Sequence, residues 1–535
     1  MANQVPPRAG GNAYEDDGVL RALTHDLPAE SLAGMRKHGT WLASADAAEL
    51  ARLANVNPPI LHTHDARGER VDRVEFHPAY HALMRRGIDL GLAGSIWEKT
   101  PSEAGMRHRA RAARFHLHGQ LEQGHQCPLT MTNASLATIA RSPELAAHWA
   151  PRILSRIYDS AERPAAQKNG ATVGMGMTER QGGSDIRSNT TAATPRKDGL
   201  WEIDGAKWFF SAPMCDAFLV LAQTSAGLGC FLLPRHLPDG AVNGIRLDRL
   251  KPKLGNRSNA SSEVRFEKAL ASPVGDPGQG IAAILDMVTL TRLDCSVQAA
   301  SILRTALAEA VHHARHRQAF GSSLIDKPLM ARVLADLTLD LSAAQALTMR
   351  LAGAYDGAAG DADEATFARV MTPAVKYWTC KIVPGFVAEC LESLGGNGYV
   401  EDSVLPRLYR EAPLNAVWEG SGNIMCLDVL RVARKDTAAV GRVVDNIAGD
   451  LGPFGDRTAN VLRAALQLAL EDEGSARFLT EQLAVAAAGA AMRRQLPHEL
   501  ADAFCDTRMG RPWRHTWGML DARYDARGMV DFAFA

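Results

Sequence analysis

Several scarcities narrow what this chain can be. Neither sign of charge is in excess: 59 basic and 60 acidic residues leave a net charge of -1 over 535 residues. Such a balance exerts no overall pull on nucleic acid or an acidic membrane, so either partner would need a local basic patch. Cysteine is sparse, with eight residues at 127, 215, 230, 295, 380, 390, 426 and 505 and no CxxC pair. Neither a zinc ribbon nor a disulfide framework is indicated, and scattered thiols suit a reducing cytoplasm. Residues 1–11 are polar and rich in Pro and Gly, without the apolar stretch of a secretory signal. No apolar run approaches the length of a membrane span. Internal repeats and long low-complexity tracts are absent as well. The remaining balance, 46% hydrophobic and 22% charged, is that of a globular protein with a large core. The length suffices for three or four domains.

The texture changes along the chain. Up to about residue 170, helical spacing alternates with loops punctuated by Pro58-Pro59, Pro78, Pro101 and Pro128. Between Ala171 and Val274, short alternating or apolar runs are separated by Asp198-Gly199, Asp204-Gly205 and Asp239-Gly240 turns, which suggests a small β-barrel or sandwich. Four long helical patterns follow, Ile281 to His316, Pro328 to Tyr355, Glu364 to Leu394 and Asn423 to Lys435, and suggest a bundle. A further helical block runs to Met492 before an Arg/Trp-rich tail. The expected domains are therefore 1–170 (helical), 171–279 (strands), 280–435 (bundle) and 436–535 (helical).

Chemistry concentrates in four segments. Trp418-Glu419-Gly420-Ser421-Gly422-Asn423 puts a carboxylate where glycines let the backbone turn tightly against a bulky ligand. Glu419 reads either as an aimed general base or as a helix-start carboxylate. The run opens at Gly395-Gly396-Asn397-Gly398. The block Met175-Gly-Met177-Thr178-Glu-Arg-Gln-Gly-Gly183-Ser184-Asp185 offers hydroxyls and exposed N–H groups to a heterocycle edge and a phosphate. Lys207-Trp208-Phe209-Phe210-Ser211 could set a ring against an isoalloxazine; a core strand is the alternative. Arg317-Gln-Ala-Phe320-Gly321 closes a helix with a guanidinium suited to pyrophosphate and an apolar wall. His312 and His316 share a helical face without the Glu of HExxH, so no metal is expected. Arg107, Arg109, Arg111 and Arg114 read as a solvated face or a subunit contact rather than a nucleic-acid groove.

Taken in order, these segments resemble the acyl-CoA dehydrogenase flavoprotein family, and the likeness covers residues 170–435 closely. Four longer stretches narrow it to the AidB branch, bacterial flavoproteins of the alkylation-damage (adaptive) response. They are Gly174 to Asp185, Lys253 to Ala260, Leu405 to Glu411 and Trp418 to Arg431. Arg52 to Pro59 extends the similarity towards the N-terminus. The resemblance implies a mainly α fold with a central β-barrel: helical N-terminal domain, barrel, four-helix bundle and an extra helical C-terminal block. It implies FAD between barrel and bundle. Met175, Met177, Thr178, Gly183, Ser184, Phe209, Phe210 and Ser211 would contact it. Arg317 and Phe320 would reach the FAD of a neighbouring subunit, with Gly395 and Gly396 near the adenine end. Trp418, Gly420, Ser421 and Asn423 complete the set. Glu419 matches the family's base; at the alternative base position of some members this chain has Thr291.

The implied reaction removes an α-proton from an acyl thioester at Glu419 and passes a β-hydride to flavin. Two departures fall near the substrate entrance: Arg180 follows Thr178-Glu179 where Pro is usual, and Ala212 follows Ser211. The branch also implies a homo-oligomer, a tetramer by family, in the cytoplasm. Double-stranded DNA is a further expected partner, met by Arg431, Arg434, Arg508, Arg511 and Arg514 tracking phosphates. Two other readings stay open: a DNA-binding flavoprotein with incidental dehydrogenase activity, and an acyl-CoA oxidase.

Overall fold

The computed structural model describes residues 3–99, 101–510 and 523–534. Arg511 and Arg514, two of the residues expected to meet DNA, lie outside the described residues. The chain forms two compact units.

One unit, Ala48–Lys99 with Glu122–Thr291, is built round a barrel. Its strands are β1 (Val173–Gly176), β2 (Ala192–Pro195), β3 (Trp201–Ser211), β4 (Ala217–Thr224), β5 (Gly227–Pro234), β6 (Ile245–Leu250) and β7 (Ser261–Pro273). β4 pairs with β5, β5 with β7, β7 with β3, β3 with β2, and β2 returns in parallel to β4, so the ring closes. Closure leaves no unpaired edge along that ring. β1 lies parallel against β4, and β6 antiparallel against β7. The apolar run Ala217–Ala222 is buried on both faces, which is why it lacks strand alternation.

The other unit, Met1–Ala47, Thr100–Leu121 and Arg292–Ala535, is helical. Its long helices are α1 (Gly280–His316, in this unit from Arg292), α2 (Pro328–Gly357), α3 (Ala362–Ser393) and α4 (Gly422–Lys435). α2 starts on a proline at its first position, where a missing N–H costs nothing. Asp361 caps α3 by accepting from the Asp363 and Glu364 N–H groups. The C-terminal helices are α5 (Thr437–Asp450), α6 (Gly455–Glu471), α7 (Ala476–Gln495), α8 (His498–Arg508) and α9 (Ala526–Ala533). α7 packs on α2 and α3, and its run Leu483–Met492 is buried all round.

Two basic groups are placed differently from expectation. In helix Arg107–Gly119, Arg111 is buried and bidentate to Asp294 at 2.6 and 2.8 Å, Arg109 pairs with Asp26 and Arg114 with Glu103. That stretch ties helices together and is no solvated face. Arg508, expected on a DNA-facing surface, is 7% exposed and bonds Asp336 and Asp340 of α2 at 2.6 and 2.9 Å. Its charge is consumed inside the helical unit, so it cannot track phosphates.

Candidate active site

In the barrel unit the Met175–Asp185 block begins on β1 and leaves it as a loop. Its organiser is Glu179, which is buried and accepts from Lys207 Nζ at 2.8 Å and from the N–H and hydroxyl groups of Thr190 and Thr191. Burial alone would raise its pKa, but these donors outweigh that and hold it down to about 2. The loop folds back so closely that a side chain at Gly183 would come within 2.5 Å of Thr178 Oγ1. Gly183 and Ser184 are exposed, and Met175, Met177 and Thr178 are half-buried.

On β3 the pairing register shifts between Lys207 and Phe210. This bulge turns both Lys207 and Phe210 into the barrel, while Phe209 is 50% exposed. Phe210 packs against Phe218 and Phe266 as core and therefore does not contact a flavin. Phe209 keeps the expected outward aspect, and Ser211 is half-buried. Lys251 Nζ lies over Trp208 at 3.4 Å and over Phe209 at 4.7 Å, and Arg180 covers Trp208 at 5.0 Å. The unusual Arg180 thus stacks on the aromatic strand, a cation–π contact that the motif did not reveal.

In the helical unit, Glu419 stands in a turn between a 3-10 turn, Leu414–Ala416, and α4. Its φ is +57 and that of Gly420 is +103. A non-glycine residue there costs of order 1–3 kcal/mol and persists only if its surroundings enforce it. The enforcers are cations acting on the main chain: Arg292 Nε donates to Glu419 O at 3.1 Å and Lys376 Nζ to Gly420 O at 2.5 Å. Asp428 in turn binds Arg292 at 2.8 Å and Arg369 at 2.9 Å. Thr291, the residue before Arg292, is buried. Ser421 stands at the N-cap position of α4 without a capping side-chain bond and is exposed, Trp418 is half-buried, and Asn423 accepts from Arg477 at 2.8 Å.

Arg317 and Phe320 sit on a two-residue hairpin, Gln318–Ala319 against Ser322–Ser323, whose tip residues Phe320 and Gly321 both have positive φ, +50 and +83. Such tips favour Asn-Gly; here a phenylalanine takes the strained place and is 94% exposed. The N-terminal segment, which the sequence did not single out, straps this hairpin. Asn3 exchanges bonds of 2.7 and 3.0 Å with Gln318 and accepts from Arg317, and Arg8 pairs with Glu309 at 2.7 Å. His312 bonds Pro6 O at 2.8 Å. Among the described residues no acidic, His or Cys cluster is arranged for a metal ion.

A large dinucleotide fits these features. At Gly395, φ +61, and Gly396 an added side chain would meet nothing within 4 Å, so a ligand can approach the backbone there closely, although the Gly395 N–H itself bonds Glu392 O at 2.8 Å. In the barrel unit the exposed Phe209 ring and the Thr178 and Ser184 hydroxyls are of the kind that stack on and bond such a group, and in the helical unit the Phe320 ring is exposed.

A closed barrel, a four-helix bundle and a glutamate in a strained Gly-Ser-Gly turn define the acyl-CoA dehydrogenase class. Residues 3–160 match the model of the adaptive response protein AidB N-terminal domain, 174–269 the acyl-CoA dehydrogenase middle domain and 278–433 its C-terminal domain. The chain is 46% identical to AidB of Escherichia coli (strain K12), itself only provisionally named an acyl-CoA dehydrogenase, across 95% of this chain and 94% of that one. It is 31% identical to acyl-CoA dehydrogenase family member 11 of Caenorhabditis elegans, across 82% of this chain and 74% of that one. The structure of Caenorhabditis elegans ACDH-11 in complex with C11-CoA superposes with a TM-score of 0.86 at 26% identity, covering 98% and 94% of the two chains. The chain belongs to the acyl-CoA dehydrogenase family, in its AidB branch. With that family it is an FAD-dependent oxidoreductase acting on CH–CH donors.

Proposed function

We propose that the protein dehydrogenates an acyl thioester, with Glu419 as the base that takes the α-proton. The observation that carries this reading is the enforced backbone at Glu419, φ +57, beside glycine. Strain of this kind is kept where a side chain must point one way. FAD, when bound, accepts the two electrons and the β-hydrogen as hydride. The chain's own part is to hold the α-carbon within hydrogen-bond reach of the Glu419 carboxylate, to keep that carboxylate oriented, and to take up the proton. Phe209, Thr178, Ser184, Gly395 and Gly396 are proposed contacts for FAD. Arg317 and Phe320 are proposed to complete the FAD site of a second copy, in a tetramer; the 94% exposure of Phe320 supports this. That the Caenorhabditis elegans relative was solved with C11-CoA supports a fatty acyl thioester as substrate.

A second reading, double-stranded DNA binding within a cytoplasmic alkylation response, rests on Arg431, which is 72% exposed on α4 beside Arg434. Asp428 and Glu473 lie against these two guanidiniums and weaken their pull.

Anaerobic titration of the purified protein with undecanoyl-CoA tests the main reading. Bleaching of bound flavin is expected, and a fully loaded protein that no acyl thioester reduces would refute it. Oxygen consumption with peroxide release would instead mark an oxidase.

A further inference from the structure

Lys376 belongs to none of the signature segments, yet it is placed at the turn that bears Glu419. It lies on α3 and is 1% exposed, among the largest fully buried side chains. An ammonium out of water must recover several kcal/mol through hydrogen bonds and charge. Its bond runs to the main-chain oxygen of Gly420, at 2.5 Å, and no carboxylate of the described residues forms an ion pair with it. Arg292, from α1, holds the preceding carbonyl at 3.1 Å. Two cations on two helices therefore grip two successive carbonyls across Glu419 and Gly420. Arg292 is braced by Asp428, whereas the hydrogen bond of Lys376 among the described residues goes to the turn. At Gly420, φ +103, a side chain would be strained, and its Cβ would lie 2.8 Å from Met425 Cε, which would have to shift. One turn along α3, Cys380 Sγ donates to Cys295 O, and burial pushes both thiols above their ordinary value.

We propose that Lys376 is a positioning residue for the base: by fixing the Gly420 carbonyl it locks the left-handed turn and presents the Glu419 carboxylate in a single orientation. The inference rests on the reading of Glu419 as base. The lever is orientation, and misplacing a reacting group by about 1 Å costs on the order of 10²-fold.

The test replaces Lys376 by Met, which keeps the apolar stem. FAD content, undecanoyl-CoA binding by flavin spectral shift, and anaerobic single-turnover flavin reduction are measured on one preparation. The reduction rate should fall roughly 10- to 100-fold, with FAD content and thioester affinity within about twofold of wild type. In a Glu419→Gln background the same change should cost nothing further, because the two residues act as one unit. A reduction rate within about twofold of wild type, or an equal loss in both backgrounds, overturns the proposal. If the Met variant does not fold, Lys376→Gln, which can still donate to Gly420 O, should fold and restore part of the rate. A Gln variant that folds without recovery, or that fails to fold as well, confines Lys376 to the core and also overturns it. Full activity in Glu419→Gln alone, or no reduction of wild type by any thioester, would sink the base reading instead.

Discussion

Two glutamates, Glu179 in the barrel unit and Glu419 in the helical unit, stand in the two strongest signature segments and are held in opposite ways. At Glu179 the Lys207 ammonium and the N–H and hydroxyl groups of Thr190 and Thr191 all reach the carboxylate itself, and the residue is 3% exposed. A carboxylate so saturated has no lone pair to spare for a substrate proton; it serves to pin the loop that carries Thr178 and Ser184. At Glu419 the bonds from Arg292 and Lys376 end on the main chain, at the carbonyls of Glu419 and Gly420. Fixing the backbone on either side of a carboxylate is how a base is held in one orientation. A carboxylate beside a motif glycine is thus assigned its task by where its hydrogen bonds end.

The comparison breaks first at Glu419. Glu419→Gln should lower thioester-driven flavin reduction by about 10²- to 10⁴-fold, the usual worth of a general base, and leave FAD bound. Stopped-flow absorbance with undecanoyl-CoA reads the rate, and flavin released on denaturation reads the occupancy. A loss of FAD instead of rate would place Glu419 with Glu179 as a structural carboxylate.

Next comes the barrel network. Lys207→Met strands a buried carboxylate and should destabilise the protein by about 3–5 kcal/mol, seen as an earlier urea midpoint, before any specific effect on proton abstraction. The pH dependence has a definite sign. The folded pKa of Glu179 is depressed from the ordinary glutamate value of 4.5 to about 2. Its stabilisation is therefore complete above the unfolded value and drains away as pH falls from 4.5 towards about 2. Wild type should lose stability across that window, and Glu179→Gln should show a flatter acid limb. Equal acid limbs would mean that the network contributes nothing to the fold.

Much of this was legible in the sequence. The strand-like runs between Gly170 and Val274 correspond to β1, β3, β4, β5 and β7, though not to the short β2 and β6, and the four long helical patterns correspond to α1–α4, because turn residues and helical periodicity are local properties. Glu419-Gly420 stood out because glycine beside a carboxylate marks an unusual turn. What stayed hidden depended on contacts across long separations or on one extra residue. Phe210 read as a flavin neighbour because nothing in Trp208-Phe209-Phe210 reveals the bulge that turns it inward. Lys376 lies 44 residues from the carbonyl it holds. Asn3 reaches the Arg317 hairpin across 314 residues. Arg508 looked like a surface cation because its partners Asp336 and Asp340 come from another helix.

The smallest effect separates the two kinds of arginine in the C-terminal half. Arg508→Met should behave as a core change: Asp336 and Asp340 lose their partner, stability falls by about 3 kcal/mol, and DNA retention per folded molecule stays the same. Arg431→Gln should do the reverse. Its side chain is 72% exposed and its one ion pair among the described residues, to Asp428, is long at 3.4 Å, so stability should move by no more than about 0.5 kcal/mol. If α4 meets a duplex through phosphates, that single change should flatten the log-log salt dependence of duplex retention by about one unit, whatever the DNA sequence, with FAD unaffected. Fluorescence anisotropy of a labelled duplex between low and moderate salt measures the slope. An unchanged slope, or no retention even at low salt, would leave Arg431 as a bystander to Asp428. The basic end of α4 would then belong to the fold, as Arg508 already does.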